Sequence, residues 1–302
     1  MTPPAYTRSP PTPGAIRSQG KSNWSKNMNL AGYSLMVLPP LEGTTSLRSA
    51  LPKRECERLL VAAQMLRARI FLADTALVAS TVDSSGRYIH PLDRQSWHVL
   101  ICSPQGSVCG TLRVTVHDDE CGVDDLTVSE CPVFAEEEWR LRGRGILASF
   151  LQRASAARVR AAETGGWALD ESLRGGKKGA LLALSGWAVI RLVGGAKILG
   201  AVTTRHGASR MTRYLGGLEL ADAKGSIPAY FDPRYGCDME LIEFDSQQVN
   251  PAFEPTVQAI CNHFLGMLVQ PSADPTRLCA FDPVDPVVDQ NLAEHFIPGW
   301  FA

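Results

Sequence analysis

Hydrophobic and polar positions follow two different patterns in the first half of the folded part of this chain. Across residues 53–71, apolar side chains return every three or four positions, which predicts an amphipathic helix. Residues 97–103 and 107–116 are apolar and β-prone, and a Pro-Gln-Gly turn signal lies between them at 104–106. This second pattern predicts an antiparallel hairpin.

The second half of the chain alternates between helix and strand. A helix is predicted over 136–162, because glutamates open it and arginines dominate its end, as the helix dipole favours. The segments that follow predict strand 165–169, helix 178–193, strand 196–203, helix 208–215, strand 238–244 and helix 257–269. A strand–helix–strand unit after a hairpin indicates a mixed sheet. We therefore expect an α/β fold with a mixed central sheet and helices on both faces.

Proline content and charge divide the chain into a folded centre and two extensions. The first 28 residues are rich in proline and carry basic but no acidic side chains, so we expect residues 1–44 to form a disordered tail. Residues 45–250 are expected to form one domain. Residues 251–302 are expected to form an extension with a helix and a proline-rich end.

Composition narrows the possible classes of protein. Of 302 residues, 45% are hydrophobic, so the chain can bury a large core, and a net charge of -1 favours neither nucleic acid nor a membrane surface as a partner. The longest charge-free apolar stretch, 179–190, is shorter than the ~20 residues that span a bilayer. No secretory signal is visible. The eight cysteines form no CxxC pair, so we expect no metal site and reduced thiols in a cytoplasmic protein.

Five short motifs lie near the ends of these elements. They are Arg67-x-x-x-Phe71, Asp93-x-x-Ser96-x-His98, Gly110-Thr111-Leu112-Arg113, Glu163-Thr164-Gly165-Gly166-Trp167-Ala168-Leu169, and Ala201-Val202-Thr203-Thr204-Arg205 with Tyr214-Leu215-Gly216-Gly217. With the element order, these motifs resemble the GNAT acyltransferase superfamily, and in particular the branch of acyl-homoserine-lactone synthases and N-acyl amino acid synthases. The resemblance covers about residues 58–248. It implies a GNAT-like sheet and an N-acyltransferase.

Two positions depart from that family pattern. Lactone synthases usually carry an arginine three residues after the catalytic-strand glutamate, where this chain has Gly166. They also carry an aspartate three residues before the position of Asp93, where this chain has His90. Both departures point away from homoserine-lactone synthesis and favour activity of the N-acyl amino acid type.

Glu163 is the candidate general base. Amide synthesis from a thioester requires a deprotonated amine, and a carboxylate shielded from water has a raised pKa that suits it to accept the proton. The alternative is a glutamate in solvent at a helix end. The backbone N–H groups of Trp167, Ala168 and Leu169 are candidates to stabilise the negative charge on the attacked carbonyl.

The acceptor pocket is expected around Arg67 and Arg113, because a guanidinium group matches the carboxylate of an amino acid. Asp93 would then orient the acceptor amine. The alternative is that Asp93 forms an internal ion pair with these buried arginines. Through the resemblance, the full set of expected substrate-binding residues is Arg67, Phe71, Asp93, Ser96, His98, Arg113, Thr203 and Arg205.

The donor is expected to be an acyl thioester, either acyl-CoA or the phosphopantetheine of an acyl carrier protein, with no tightly bound cofactor. Helix N-termini that follow glycine bind phosphate, and the candidate loop consists of Arg174, Gly175, Gly176, Lys177, Lys178 and Gly179. A flexible basic loop is the alternative. The string Arg140-x-x-Gly143-x-Gly145 also fits the superfamily's R-x-x-G-x-G pattern, but no strand precedes it, and we interpret the match as chance.

Two other features have alternative interpretations. Residues 140–160 carry six arginines and no acid, which is typical of a solvated helix but would also suit docking of an acidic acyl carrier protein. Cys237 would need a nearby base to act as a nucleophile. The leading hypothesis is an N-acyltransferase that uses a small-molecule amine acceptor. The alternatives are an acetyl-CoA-dependent N-acetyltransferase and a non-catalytic scaffold that binds an acyl ligand or a protein.

Overall fold

The computed structural model describes residues 32–43, 45, 47–174 and 177–269. Within these residues, the helices are α1 (Lys53–Ala73), α2 (Glu137–Ala156), α3 (Lys177–Leu192), α4 (Ala208–Tyr214) and α5 (Glu254–Met267). The strands are β1 (Ser34–Leu38), β2 (Arg48–Ser49), β3 (Trp97–Cys102), β4 (Val108–Val116), β5 (Arg160–Leu169), β6 (Ala196–Thr203), β7 (Leu218–Glu219), β8 (Ala221–Asp222), β9 (Gly225–Ser226), β10 (Tyr230–Asp232), β11 (Cys237–Asp245) and β12 (Leu268–Val269).

The main sheet has the order β1-β3-β4-β5-β6-β11-β10, and β7 also pairs with β11. Every pair is antiparallel except β5 with β6, whose crossover is α3. The predicted α/β class, a mixed sheet with helices on both faces, is confirmed.

The parallel strands β5 and β6 separate before they end. Their pairing runs from Arg160 opposite Ala196 to Thr164 opposite Gly200. Beyond that point β5 continues to Leu169 and β6 to Thr203 without pairing to each other. Within the part of the chain that the structure describes, the inner edge of the second half of β5 therefore has no strand partner, and its unpaired peptide groups face the gap.

The two faces of the sheet differ in character. Leu112 and Val114 of β4 lie in an apolar core with the side chains of α3 and α5. Arg113 lies between them in sequence and therefore faces the opposite side, where α1 packs. α2 also covers this second side, against Ala161 and Leu199. One face of the central strands is thus apolar, and the other carries buried polar groups.

Three predicted boundaries differ from the structure. The predicted tail 1–44 includes β1, which pairs with β3; residues 1–31 lie outside the described residues. The predicted helix 136–162 ends at Ala156, because a left-handed residue, Arg158 with φ 56°, turns the chain into β5. The predicted extension from 251 begins with α5, which packs in the same core as α3. Residues 270–302 are outside the described part.

Candidate functional site

A cavity of about 710 Å³ lies where β5 and β6 separate. Because it opens through the gap between the strands, it is lined from both faces of the sheet. We call the part on the α1 face the polar limb, lined by Arg67, Tyr88, His90, Arg113, Thr127 and Glu163. We call the part on the α3 face the apolar limb, lined by Ala183, Trp187, Ile198, Val202, Met211 and Phe244.

A bulge in β5 shapes the junction of the two limbs. The register of β4 with β5 shifts between Thr111 and Arg113, opposite Gly166. Gly166 has φ +61°, and a Cβ atom there would lie 2.9 Å from Arg67 Nη1, so any other residue would strain the backbone and displace Arg67. Beyond the bulge, Trp167 packs on the α3 side and Ala168 on the α1 side. Both residues and Leu169 line the cavity.

Glu163 lies in β5 with only 3% of its surface exposed, and it lines the polar limb. Its Oε2 is 2.8 Å from His117 Nε2 and accepts from Thr127 N (2.9 Å) and Thr127 Oγ1 (3.1 Å). Its Oε1 accepts from Val128 N at 2.8 Å. The glutamate therefore also fastens the 127–128 turn to the sheet.

These contacts reverse the predicted direction of the Glu163 pKa. Burial alone would raise the pKa of this carboxyl group, but the hydrogen bonds from His117, Thr127 and Val128 outweigh burial and hold the pKa below its ordinary value. The prediction of a shielded carboxylate is consistent with the burial, and the prediction of a raised pKa is wrong. Glu163 is consequently ionised at neutral pH.

Arg67 forms an internal ion pair. Its Nη1 donates to Asp93 Oδ1 at 2.8 Å and its Nη2 donates to Oδ2, and both side chains are 1% exposed. Gln64 Nε2 and the backbone N–H of His90 also donate to Asp93 Oδ2, at 3.0 and 3.1 Å. The structure thus favours the alternative of a structural pair, and the predicted roles of Arg67 as a carboxylate clamp and of Asp93 as an amine ligand are corrected.

Arg113 is in a different state, although it lies beside this pair. It is 6% exposed, and its Nη1 lies 3.9 Å from Asp93 Oδ1, beyond hydrogen-bond distance. Its buried Nε has no hydrogen-bond partner among the described residues. Burial, followed by the charge of Arg67, lowers the pKa of Arg113 to about 10, so the group remains a cation.

The two other predicted acceptor residues of the second motif are structural. Ser96 Oγ donates to Leu92 O at 2.6 Å and lies 2.8 Å from Thr115 Oγ1. His98 is 2% exposed, and its Nε2 lies 2.7 Å from Asp93 O. Neither lines the cavity. Burial lowers the pKa of His98 to about 4, so its ring is neutral.

The remaining predicted substrate residues lie at the rim of the cavity. Phe71 makes edge contacts with the rings of Tyr88 and Tyr235, at centroid distances of 6.1 and 6.5 Å. Thr203 Oγ1 lies 3.0 Å from Cys237 Sγ. Arg205 donates from Nη1 to the backbone oxygen at 74 and from Nη2 to that at 236. All three predicted residues line the cavity.

The predicted donor loop lies at the same rim. Arg174 lines the cavity and pairs with Asp74, its Nη2 lying 2.9 Å from Oδ2. Gly179 lines it from the first turn of α3, and Lys178 Nζ lies 4.7 Å from the ring centroid of Tyr33. Lys177 begins α3. Gly175 and Gly176 lie outside the described residues.

The arginine-rich segment is not a continuous cationic surface. Four of its six arginines are held by partners on this chain: Arg142 by Asp222, Arg144 by Asp124, Arg153 by Glu243, and Arg160 by the backbone oxygen of Val193. The interpretation as a docking face for an acyl carrier protein is therefore not supported. The R-x-x-G-x-G match lies inside α2, where Gly143 allows Phe134 to pack closely, as expected of a chance match.

Features typical of other kinds of site are absent from the part of the chain that the structure describes. No cluster of three or more metal-ligating side chains occurs there. None of its helices has the length and apolar character needed to cross a membrane. The seven cysteines in this part are free, and Cys279 lies beyond it. Among the described residues, the Cys237 thiol has a hydrogen-bond partner in Thr203 Oγ1, and no base for a nucleophilic role is seen in contact with it.

Sequence reasoning missed His117 and gave no role to His90. His117 continues the register of β4 beyond Val116, with its N–H donating to Ala161 O, so its side chain falls on the face of Glu163. The overlong helix prediction concealed this register. A strand beginning at Arg160 would have paired Thr115 with Glu163 and placed His117 beside it.

Comparisons with known proteins give similarity to solved structures only: no family model and no curated protein matches. BjaI, a CoA-dependent acyl-homoserine lactone synthase, is 13% identical over 82% of this chain and 100% of its own, with a TM-score of 0.45. FeeM, an N-acyl amino acid synthase from uncultured soil microbes, is 13% identical over 67% and 89%, with a TM-score of 0.39. A mosquito arylalkylamine N-acetyltransferase-like protein is 15% identical over 70% and 99%, with a TM-score of 0.40.

Proposed function

We propose that this protein is an N-acyltransferase that moves an acyl chain from a carrier thioester to the amine of an amino acid or similar small acceptor. The observation that supports it best is the two-sided cavity at the separated strands. A buried carboxylate and a buried cation line one limb, and apolar side chains line the other. The acceptor occupies the polar limb and the acyl chain the apolar limb, so that amine and thioester meet beside β5.

The reaction follows from this placement. The acceptor ammonium group first gives one proton to solvent. The neutral amine nitrogen then attacks the thioester carbonyl carbon, a C–N bond forms, and the π electron pair of the carbonyl moves to oxygen. The nitrogen becomes acidic as it gains positive charge, so even a carboxylate of low pKa, Glu163, can take its proton directly or through water. Collapse of the intermediate breaks the C–S bond, and the departing carrier thiolate takes up the proton that Glu163 accepted, which returns Glu163 to its carboxylate form.

The unpaired inner edge of β5 supports carbonyl stabilisation. Beyond Thr164 this edge pairs with no strand among the described residues, so N–H groups among Trp167, Ala168 and Leu169 are candidates to bind the reacting oxygen. The bulge at Gly166 directs successive side chains to opposite faces and keeps them off this edge. The carrier arm would then reach the rim at Arg174 and the first turn of α3.

One observation favours a non-catalytic scaffold as the second candidate. The four contacts of Glu163 would equally serve to fasten the 127–128 turn, and its lowered pKa makes it a weak base. No observation favours the acetyl-CoA alternative in the same way. An acetyl group needs little space, whereas the apolar limb extends past Ala183 to Trp187 and Phe244.

The test is mass spectrometry of full-length protein incubated with acyl-CoA and acyl-carrier-protein donors of increasing chain length and a mixture of amino acids. We expect N-acyl amino acids from the wild type and a loss of about 10²–10⁴-fold in Glu163→Gln. The matched control is Glu254→Gln, at the surface of α5 and paired with Arg191; its product yield should equal the wild type's.

Each outcome has a defined meaning. Product from wild type that Glu163→Gln does not diminish would keep the transferase and remove Glu163 as the base. Acetylated product alone, with no longer chain accepted, would support the acetyltransferase. Absence of product from every donor, with folding verified by circular dichroism, would overturn the proposed function and favour the scaffold.

A further inference from the structure

Arg113 is a buried cation that the protein itself leaves incompletely bonded. Its side chain is 7% exposed and lines the polar limb, and its Nε has no hydrogen-bond partner among the described residues. A buried polar group without a partner costs free energy, and a buried charge costs more. Arg113 is therefore a cavity-lining cation whose hydrogen-bonding capacity is not fully used by the described residues.

The nearest carboxylates do not satisfy Arg113. Asp93 Oδ1 is 3.9 Å away, and Asp93 already accepts from Arg67, Gln64 and the N–H of His90. Glu163, whose charge also acts on Arg113, receives four hydrogen bonds from His117, Thr127 and Val128. Neither acid makes a hydrogen bond to Arg113, so the guanidinium group remains available to a ligand.

His90 adds a second donor to this limb. The Leu92 N–H donates to His90 Nδ1 at 3.2 Å, so Nδ1 carries no hydrogen, and the neutral ring must carry its hydrogen on Nε2. Burial, followed by the charge of Arg113, lowers the pKa of His90 to about 4, with Asp93 and Glu163 acting in the opposite direction and Arg67 in the same one. At neutral pH, His90 therefore presents one N–H donor and no charge of its own.

We infer that Arg113 and His90 together form a seat for a negatively charged group on the acceptor, and that this seat selects acceptors that carry both an amine and an acid. This inference rests on the proposed function, because it names the class of acceptor that the polar limb takes. Arg113 supplies the charge and His90 a directed hydrogen bond. Glu163, in the same limb, attracts the ammonium group of the same molecule.

The seat predicts discrimination between matched pairs of ligands. Each pair consists of an amino acid and the amine made by its decarboxylation, such as phenylalanine with phenethylamine, leucine with 3-methylbutylamine, and tryptophan with tryptamine. Binding of each compound to full-length protein is measured by calorimetry without donor, and product from the equimolar mixture is measured with an acyl-CoA donor. We expect the best-bound acid to exceed its amine at least about tenfold in affinity, because charge-assisted hydrogen bonds are lost with the carboxylate.

Three variants test whether Arg113 and His90 cause the preference for acids over amines. His90→Asp places a carboxylate beside Arg113 and should abolish or reverse the ratio of acid to amine. His90→Gln keeps an N–H donor and should retain the preference for acids. Arg113→Gln should lower acid affinity about tenfold and leave amine affinity within about twofold. Arg144→Gln, a surface arginine of α2 paired with Asp124, is the control and should behave as wild type.

The two proposals fail in different ways. Preferential binding of acids without any product would support the seat and count against the acyltransferase. Product with no difference between acids and amines would support the acyltransferase and overturn the seat. Wild-type protein that binds no acid more tightly than its amine, or a folded His90→Asp with the wild-type ratio, would also overturn the seat.

Discussion

The two limbs of the cavity lie on opposite faces of a single sheet and have opposite chemical character. The apolar limb is an extension of the main core, lined by side chains of α3, β6, α4 and β11. The polar limb contains buried charges, some compensated and one incompletely so: Arg67 has Asp93, whereas Arg113 lacks a full set of partners. The comparison shows how one sheet can provide two kinds of binding surface. Successive side chains of β4 and β5 point to opposite faces, and with the bulge in β5 this places an apolar surface and a charged surface on either side of the same strands.

The largest expected effect concerns the compensated part of the polar limb. Asp93→Ala leaves Arg67 buried without its partner, and removing one member of a buried pair typically costs about 3–5 kcal/mol. Urea unfolding of the variant measures it. Asp222→Asn removes an acid from a surface pair with Arg142 and should cost far less, because solvent screens the pair. Equal losses in both variants would contradict the distinction between buried and surface pairs.

The same pair predicts how stability depends on pH. Burial would raise the pKa of Asp93, but Arg67 outweighs it and the pKa falls from 3.8 to about 2. Because the folded pKa is the lower one, the pair stabilises the protein above about pH 4 and loses that contribution as the pH falls toward 2. Free energies of unfolding measured across this range should fall in the wild type and fall less steeply in Asp93→Asn. Parallel curves would refute the assignment.

The apolar limb predicts an intermediate effect on donor choice. Ala183→Leu adds carbon atoms to the wall of this limb, and groups of that size change selectivity about 10–200-fold. The value of kcat/KM for the longest accepted acyl chain should therefore fall at least about tenfold, while that for the shortest chain should change little. A uniform fall across all chain lengths would indicate that the acyl chain does not lie along α3.

The rim predicts the smallest effect. Arg174 is partly exposed and already paired with Asp74, so a contact between Arg174 and the donor should be worth only about 0.2–1 kcal/mol. Replacement of Arg174 by glutamine removes that contact. The KM of an acyl-CoA donor should rise about two- to fivefold with kcat unchanged. The effect should shrink at high salt, because the interaction is screened. A changed kcat at constant KM would place Arg174 nearer the reacting atoms than the rim.

The hydrophobic pattern was sufficient to predict much of the fold. In helix α1, in the β3–β4 hairpin and in strand β6, the apolar side chains follow a single helical or strand pattern. Each element is found within a few residues of its predicted bounds. The end of α2 was not predictable in the same way. Ala161 and Ala162 suit a helix by propensity, and only pairing with β4 and β6, which are distant in sequence, holds them in a strand.

The residues of the candidate site were predicted from the sequence, but the hydrogen bonds and ion pairs between them were not. Sequence indicated Glu163, Arg67, Asp93 and Arg113, and all are buried at the α1 face. Which arginine binds Asp93 depends on the direction of α1 across the sheet, which no local spacing encodes. The lowered pKa of Glu163 likewise arises from donors 35 to 46 residues away along the chain. The sequence was enough to predict which charged residues lie in the site. Which groups bind and neutralise each of them could be seen only in the folded structure.

The central claim is that the two limbs hold the two halves of one reaction, and cross-specificity kinetics test it most directly. Wild type, Ala183→Leu and His90→Asp are each assayed with a ladder of acyl donors against matched acid and amine acceptors. We predict that Ala183→Leu shifts only the chain-length preference and that His90→Asp shifts only the ratio of acid to amine. A change in acceptor ratio from Ala183→Leu, or in chain length from His90→Asp, would contradict the account.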